Sequence, residues 1–262
     1  FSTMLRSTLE DSRSPWRNAA ISGFIVDPDR KKMSKSKGNV VTPADILETH
    51  GSDAVRYWAA SSRLGMDAAF DPQNPTQVKI GRRLAIKVLN AAKFVLSFPV
   101  PEGAQVTHAL DASMLTGLDA VIEEATKAFE NYDQAKALEV TEAFFWTFCD
   151  DYLELVKERA YNQNDVGQAS AALALRLALS TLLRLLAPII SFATEEVWSW
   201  FEEGSVHTAA WPETLGIEGD TAVLSAASEA LIGIRRAKTE AKASQKTPVS
   251  RAAIAAPAAK LE

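Results

Sequence analysis

Apolar side chains recur every three or four positions through most of this chain, and the runs lengthen sharply after residue 76. A first long helix is predicted over 76–98, with Leu84, Val88, Ala91 and Val95 on one face and Pro99 as its stop. A loop rich in Pro and Gly follows, from Pro99 to His108. A second helix starts near Asp111 and carries Leu115, Leu118, Ile122, Ala125 and Phe129. A third, from about Asp133 to Tyr161, is crowded with Phe144, Phe145, Phe148, Tyr152 and Leu155. The polar stretch Asn162 to Gly167 leads to a fourth helix ending near Pro188, and a short fifth, Ser191 to Glu203, stops at Gly204. After Trp211-Pro212 a further helix is expected from about Ala222 to Ala243. Long helices with single apolar stripes and short loops argue for a helix bundle. The Ala- and Pro-rich tail, Ser244 to Glu262, is expected to enter a strand truncated at the chain end.

Before residue 76 the elements are short and mixed α/β. Ala19 to Val26 reads as a strand or strand pair closed by the turn Asp27-Pro28-Asp29. Thr42-Pro43-Ala44-Asp45 reads as a helix start, with Thr42 as N-cap and Pro43 in the first helical position. Gly51 ends that helix, and Ser52-Asp53 begins another that runs to about Arg63 and stops at Gly65. The expected divisions are 1–72, 73–214 and 215–262, with no internal repeat.

The chain has 262 residues and is 47% hydrophobic, enough for a sizeable core and too much for wholesale disorder. Its net charge of −5 means that any nucleic acid must be held by local basic patches. The single cysteine, Cys149, excludes an internal disulfide and lies in an apolar run, so a buried inert thiol is expected; a cytosolic location fits. No apolar stretch is expected to span a membrane, and no charged-then-apolar leader is expected. Phe1 is not a natural initiator, so the chain is expected to be a piece of a longer protein.

Charge distribution changes the picture more than the total. No acidic residue lies between Asp71 and Glu102, a gap that holds Lys79, Arg82, Arg83, Lys87 and Lys93. Steps of three and four put Lys79, Arg82 or Arg83, Lys87, Asn90 and Phe94 on one helix face, opposite the apolar stripe. This is a candidate phosphate track; the bland alternative is a solvated face. Phe94 on that polar side is either a platform for an unstacked base, with Asn90 and Lys93 beside it, or a ring covered by a neighbouring helix or the 99–108 loop. A second basic cluster, Arg235, Arg236, Lys238, Lys242 and Lys246, is less clear because Glu240 interrupts it. Trp146, Asp150, Leu153 and Lys157 also share a face, for which a packed Trp and a solvated Lys is the favoured reading. Neither Gly-rich nucleotide cradle, no zinc spacing and no Ser-His-Asp set is present.

One word stands apart: Lys32-Met33-Ser34-Lys35-Ser36, continued by Lys37-Gly38-Asn39-Val40-Val41-Thr42-Pro43. It resembles the mobile ATP-binding loop of class I aminoacyl-tRNA synthetases. Gly51-Ser52-Asp53-Ala54-Val55-Arg56-Tyr57-Trp58 resembles the helix after that loop in the synthetases for valine, isoleucine and leucine. Phe145 to Leu155, Leu186 to Ile190, Thr194 to Trp198 and His207 to Pro212 resemble successive parts of their anticodon-binding domain, so the resemblance covers nearly the whole chain. Lys37, Gly65 and Asp67 before Phe70-Asp71, and Asn90-Ala91-Ala92-Lys93-Phe94 point to the valine branch, while Met66 departs from it. The isoleucine branch and a free-standing, non-catalytic tRNA-binding module remain as alternatives.

The resemblance implies a mainly α fold, an anticodon-binding bundle preceded by the small α/β end of a Rossmann-type catalytic domain. It implies ATP with Mg²⁺, valine and tRNA(Val) as partners of a longer enzyme, with no bound cofactor or metal, no membrane and no protein partner. Lys32, Met33, Ser34, Lys35 and Ser36 would bind ATP, and Lys32 and Lys35 would meet the charge that builds on the departing pyrophosphate. Ser34, Ser36 and Gly38 would let the backbone approach the phosphates. Lys79, Arg82, Arg83, Lys87, Asn90, Lys93 and Phe94 would face tRNA. The second ATP signature of the family, His-Ile-Gly-His, is not among the contexts of His50, His108 and His207, and the family's amino-acid pocket and editing domain precede the loop. The chain by itself is therefore expected not to form the adenylate.

Overall fold

The apolar periodicity after residue 76 becomes helices because each stripe has a neighbour to bury against. The computed structural model describes residues 1–253, and contacts divide the chain into two compact units. One comprises residues 1–43 and 62–75; the other comprises 44–61 and everything from Thr76 on. Packing thus groups the two short helices of 44–61 with the bundle, although they precede residue 72 in sequence.

The first unit holds α1 (Ser2–Asp11), β1 (Ile25–Val26), a single 3₁₀ turn (Lys35–Lys37) and β2 (Ala68–Ala69). The strand signal over 19–26 shrinks to two residues, paired in parallel with a distant segment as Ile25 with Ala68 and Val26 with Ala69. Gly23 is obligatory beside this pair, since a Cβ there would lie 2.1 Å from the Met66 carbonyl oxygen. Helix α1 carries no sequence signal because it buries no residue; Leu5 and Leu9 face outward.

The second unit contains α2 (Ala44–His50), α3 (Ser52–Ala60), α4 (Thr76–Leu96), α5 (Ala109–Glu130), α6 (Gln134–Thr147), a π turn (Phe148–Tyr152), α7 (Leu153–Tyr161), α8 (Gln168–Leu186), α9 (Ser191–Trp198) and α10 (Thr221–Glu240). Helix α2 starts one residue after the expected Pro43. The third expected helix is continuous but interrupted by the π turn; aromatics at 144, 145, 148 and 152 give an apolar face in either register, so periodicity does not reveal it. The expectation that no stretch could span a membrane needs correction. Helix α8 is long and apolar enough by length and composition, yet most of it is buried inside the bundle, which is why it can be so apolar. The tail is irregular over 244–253, and the rest of the expected strand lies outside the described residues.

The core is built from Leu84 and Val88 of α4, Met114, Leu115 and Leu118 of α5, Phe145 and Phe148, and Leu175, Leu182, Leu183 and Leu186 of α8, all essentially without solvent contact. Burial pushes the Cys149 thiol up to about 12, as an inert core cysteine requires. Helix α3 is clamped to the bundle by its polar residues. Asp53 caps α9 by accepting from the backbone N–H of Phe192 (3.0 Å) and Ala193 (2.7 Å). Arg56 donates to the carbonyls of Pro188 and Ile189, and Tyr57 lies so close to α4 that only Gly81 fits opposite it.

One buried ion pair ties the bundle together. Asp111, in the first turn of α5 and fully buried, accepts from Tyr152 Oη (2.7 Å), Arg159 Nη1 and Nη2 (2.7 and 2.6 Å) and Ser170 Oγ (2.6 Å). Burial and the Asp111 carboxylate together push the Tyr152 phenol well up. Asp111→Ala would leave Arg159 largely buried without its counter-charge. The expected cost is about 3–5 kcal/mol, read as a lower urea midpoint for the helical signal; a loss below about 1 kcal/mol would show that water replaces the carboxylate.

Candidate functional site

The Lys32–Ser36 segment is held from behind by two side chains that flank it. Asp27, just after β1, accepts the Lys31 backbone N–H on Oδ1 (2.7 Å) and the Asn39 amide on Oδ2 (2.7 Å). The turn between them closes with Arg30 in the left-handed region (φ 61°) and returns Lys32 to pair with Val26. Asn39 bonds both sides of the loop, donating to Lys32 O (3.3 Å) and accepting from Ser34 N–H (2.9 Å). Within that frame the chain makes the 3₁₀ turn, and Gly38 at φ 66° reverses it, a conformation that favours glycine.

The frame decides what the loop presents. Lys35, Ser36 and Lys37 are exposed, Met33 and Ser34 are half-buried, and the Ser34 and Ser36 hydroxyls lie 3.2 Å apart. Lys32 is also exposed, but its ammonium sits 5.3 Å from the centroid of the Phe24 ring. The structure thus runs the five residues from the Lys32 bridge into the Lys35–Lys37 turn, with Lys35 exposed. Sequence reasoning missed Asp27 and Asn39 as the frame. Asp27 read only as a strand stop, and nothing local shows that a carboxylate twelve positions away will meet the Asn39 amide.

The basic face of α4 divides into parts. Arg82 donates Nη1–H to the Thr49 carbonyl at the end of α2 (3.0 Å). Arg83 and Lys87 lie over the Trp146 ring, 4.9 and 5.7 Å from its centroid, and Lys87 Nζ bonds Asp150 Oδ1 at 2.9 Å. Trp146 donates its indole N–H to Glu142, which also accepts the Tyr57 hydroxyl (2.7 Å); burial, then Glu142, pushes that phenol up. Lys79, Asn90 and Lys93 are exposed. Phe94 does not stand clear of the protein: it is half-buried, edge-on to Phe98 (5.0 Å) and Tyr161 (6.1 Å). Trp146 and Leu153 are packed as favoured, and Lys157 lies 3.9 Å from Glu154. The two basic clusters, separate in sequence, meet at the π turn. Arg235 of α10 donates to the Asp150 carbonyl (2.8 Å) and lies 3.6 Å from Asp151.

The Asn39 amide, then the Lys31 N–H, hold the Asp27 carboxyl below its ordinary value of 3.8. A folded-state value below the unfolded one makes this contribution fully present above about pH 4 and lost as pH falls further. The Ser34 amide resonance should therefore stay constant from about pH 8 to 5 and move only below about pH 4. In Asp27→Asn it should already be displaced at neutral pH; titration of the amide between pH 5 and 8 in the unaltered chain would contradict this frame.

Comparison with known proteins bears on both regions. Residues 111–254 match the model of the anticodon-binding domain of tRNA ligases, and residues 1–71 match that of class I tRNA synthetases for Ile, Leu, Met and Val. The valine–tRNA ligase of Leifsonia xyli is 68% identical across the whole chain, which spans 31% of that protein. The valine–tRNA ligase of Thermobifida fusca is 57% identical over 97% of the chain, which spans 30% of it. A LeuRS–tRNA–LeuAMS ternary complex from Agrobacterium radiobacter K84 shares the fold, with TM-score 0.64 and 21% identity over 82% of this chain and 26% of that one. Matched to that domain model over more than half its length, the chain belongs to the anticodon-binding tRNA ligase family.

Proposed function

We propose that this chain is the ATP-loop and anticodon-binding portion of a cytosolic valine–tRNA ligase, an enzyme that activates valine with ATP and Mg²⁺ and transfers it to tRNA(Val). Residues 1–72 would close the catalytic domain, 73–214 would form the anticodon-binding bundle, and 215–262 would extend it. The observation that carries the reading is the framed loop, with Lys35 outward on a turn fixed by Asn39 and Asp27, in a chain 68% identical to a valine–tRNA ligase. The valine-named relatives favour this reading over the isoleucine branch and over a non-catalytic module.

Chemically, the valine carboxylate would form a bond to the α-phosphorus of ATP as the bond to the bridging oxygen breaks, and pyrophosphate would leave with its Mg²⁺. Lys35 and the loop hydroxyls fit anionic oxygens, because nothing acidic in the loop opposes them and Asp27 is turned inward. An ammonium carried there on a framed backbone acts on charge that exists mainly in the transition state. Lys32 would contribute by moving off the Phe24 ring. In the full-length enzyme Lys35→Ala should slow single-turnover adenylate formation by roughly 10²–10³ with valine affinity unchanged. An intact rate would make the loop a surface feature.

For tRNA, Lys79, Arg82, Arg83, Lys87, Asn90 and Lys93 would track phosphates, while the Phe94 ring serves packing first. The test is retention: the 262-residue chain should hold tRNA(Val) more tightly than tRNA(Ile). Removing Lys93, which has no ion pair among the described residues, should flatten the log–log salt dependence by up to roughly 0.9. Lys87→Gln should flatten it less, because Lys87 must first give up Asp150. Equal retention of both tRNAs, or unchanged slopes in both variants, would refute the assignment.

A further inference from the structure

We propose that the concavity between the end of α2 and the outer face of α4 binds a single phosphate group. It has a volume of about 350 Å³ and is lined by Thr49, His50, Lys79, Arg82, Arg83 and Ile86. Every titratable residue on its wall is cationic or, in His50, able to become so, and no carboxylate lines it. Lys79, Arg82 and Arg83 fall three and four residues apart on α4, so one helix turn gathers them.

The donors are pre-positioned. Arg82 commits one of its five N–H groups to the Thr49 carbonyl, which fixes the guanidinium and leaves the others for a ligand. Arg83 lies over the Trp146 ring, 4.9 Å from its centroid, a contact that uses the charge and consumes none of its N–H groups. The one opposing feature is the end of α2, where unpaired carbonyls would repel an anion. Two of them are already occupied: the Thr49 carbonyl by Arg82 and the Leu47 carbonyl by the Gly51 N–H (2.9 Å). Three cations, two of them positioned by contacts and Lys79 free to swing in, exceed what a carboxylate neutralises, whereas a phosphate offers three acceptor oxygens to two forks and an ammonium. The tRNA reading enters only for the source of the phosphate, which would be the RNA backbone; the site stands on the side-chain geometry.

The three histidines of the chain make the test selective. His50 lines the concavity, while His108 and His207 bond elsewhere, to the Leu110 N–H and beside the Ser191 carbonyl. Imidazole resonances of the 262-residue chain are followed as inorganic phosphate replaces chloride at constant ionic strength. The His50 signal should move and saturate, with His108 and His207 still. Lys79→Gln combined with Arg83→Gln should weaken the phosphate response at least about tenfold, since each charge-assisted bond contributes about a decade or more. Unmoved His108 and His207 signals would certify that the doubly substituted chain is folded. A short single-stranded RNA that competes with phosphate for His50 supports the site and identifies the backbone as its source. A saturable phosphate response without RNA competition supports the site and assigns it to a free phosphate-bearing ligand. A His50 signal that does not respond, moves no more than the other two, or survives the double substitution overturns the proposal. Retention of tRNA(Val) with a silent His50 would sink this site and leave the tRNA reading standing; loss of retention with a responsive His50 would do the reverse.

Discussion

The bundle depends on one carboxylate. Asp111 is fully buried and accepts from Tyr152, from both terminal nitrogens of Arg159 and from Ser170, so the π turn, α7 and α8 all converge on the first turn of α5. Ser170 in turn accepts the backbone N–H groups of Thr107 and His108, which fixes the chain entering that helix. A charge in that position is tolerable only if every partner is in place, because the low dielectric that strengthens the satisfied network also penalises any missing bond. Apolar stripes hold register through shape alone, whereas this network adds directional bonds that can all be made in one register only. It therefore sets the register in which the apolar faces of α5, α7 and α8 meet.

That register in turn places the cationic surface. With α6 to α8 fixed, Glu142 and Trp146 stand where Tyr57 of α3 and Arg83 and Lys87 of α4 can meet them. The π turn then offers the Asp150 carboxylate to Lys87 and the Asp150 carbonyl to Arg235. The basic groups of α4 and α10 are thus brought together by acidic and carbonyl partners that hold them in place. Their availability to an anion is graded: Lys87 is tied to Asp150, Arg82 spends one bond on Thr49, and Lys79 and Lys93 extend into solvent.

The legibility of each feature in the sequence depends on how local it is. The helices of the bundle could be read because a period of three to four is a local property, and Gly51, at φ 83°, separates α2 from α3 as expected, whereas α3 and α9 end at Ala60 and Trp198, short of the Gly65 and Gly204 expected to stop them. The strand signal over 19–26 overstated what forms, because a strand needs a partner, and the partner lies at 68–69. The π turn was invisible for the opposite reason: the aromatics around it satisfy two registers at once. The word Gly51 to Trp58 carries the family resemblance, and its Asp53, Arg56 and Tyr57 are occupied in capping α9, holding the corner before it and bonding Glu142. In the loop, the lysines announced themselves, while the residues that shape it did not.

The loop and the α2–α4 concavity share a construction. In each, one polar side chain is spent on backbone groups, Asn39 on Ser34 and Lys32, Arg82 on Thr49, so that neighbouring cations need not be. The reason is energetic. A flexible lysine brought to a phosphate in water gains little over its hydration, and ordering it costs side-chain entropy. Fixing the backbone beneath the cation beforehand removes part of that cost without neutralising the charge. Pairing each lysine with a carboxylate would order it better but would leave no charge to offer, as Lys87 with Asp150 illustrates. An acidic chain that must meet a polyanion locally is therefore better served by cations framed through neutral or carbonyl partners, and that is how Lys35 and the Lys79–Arg83 turn are built.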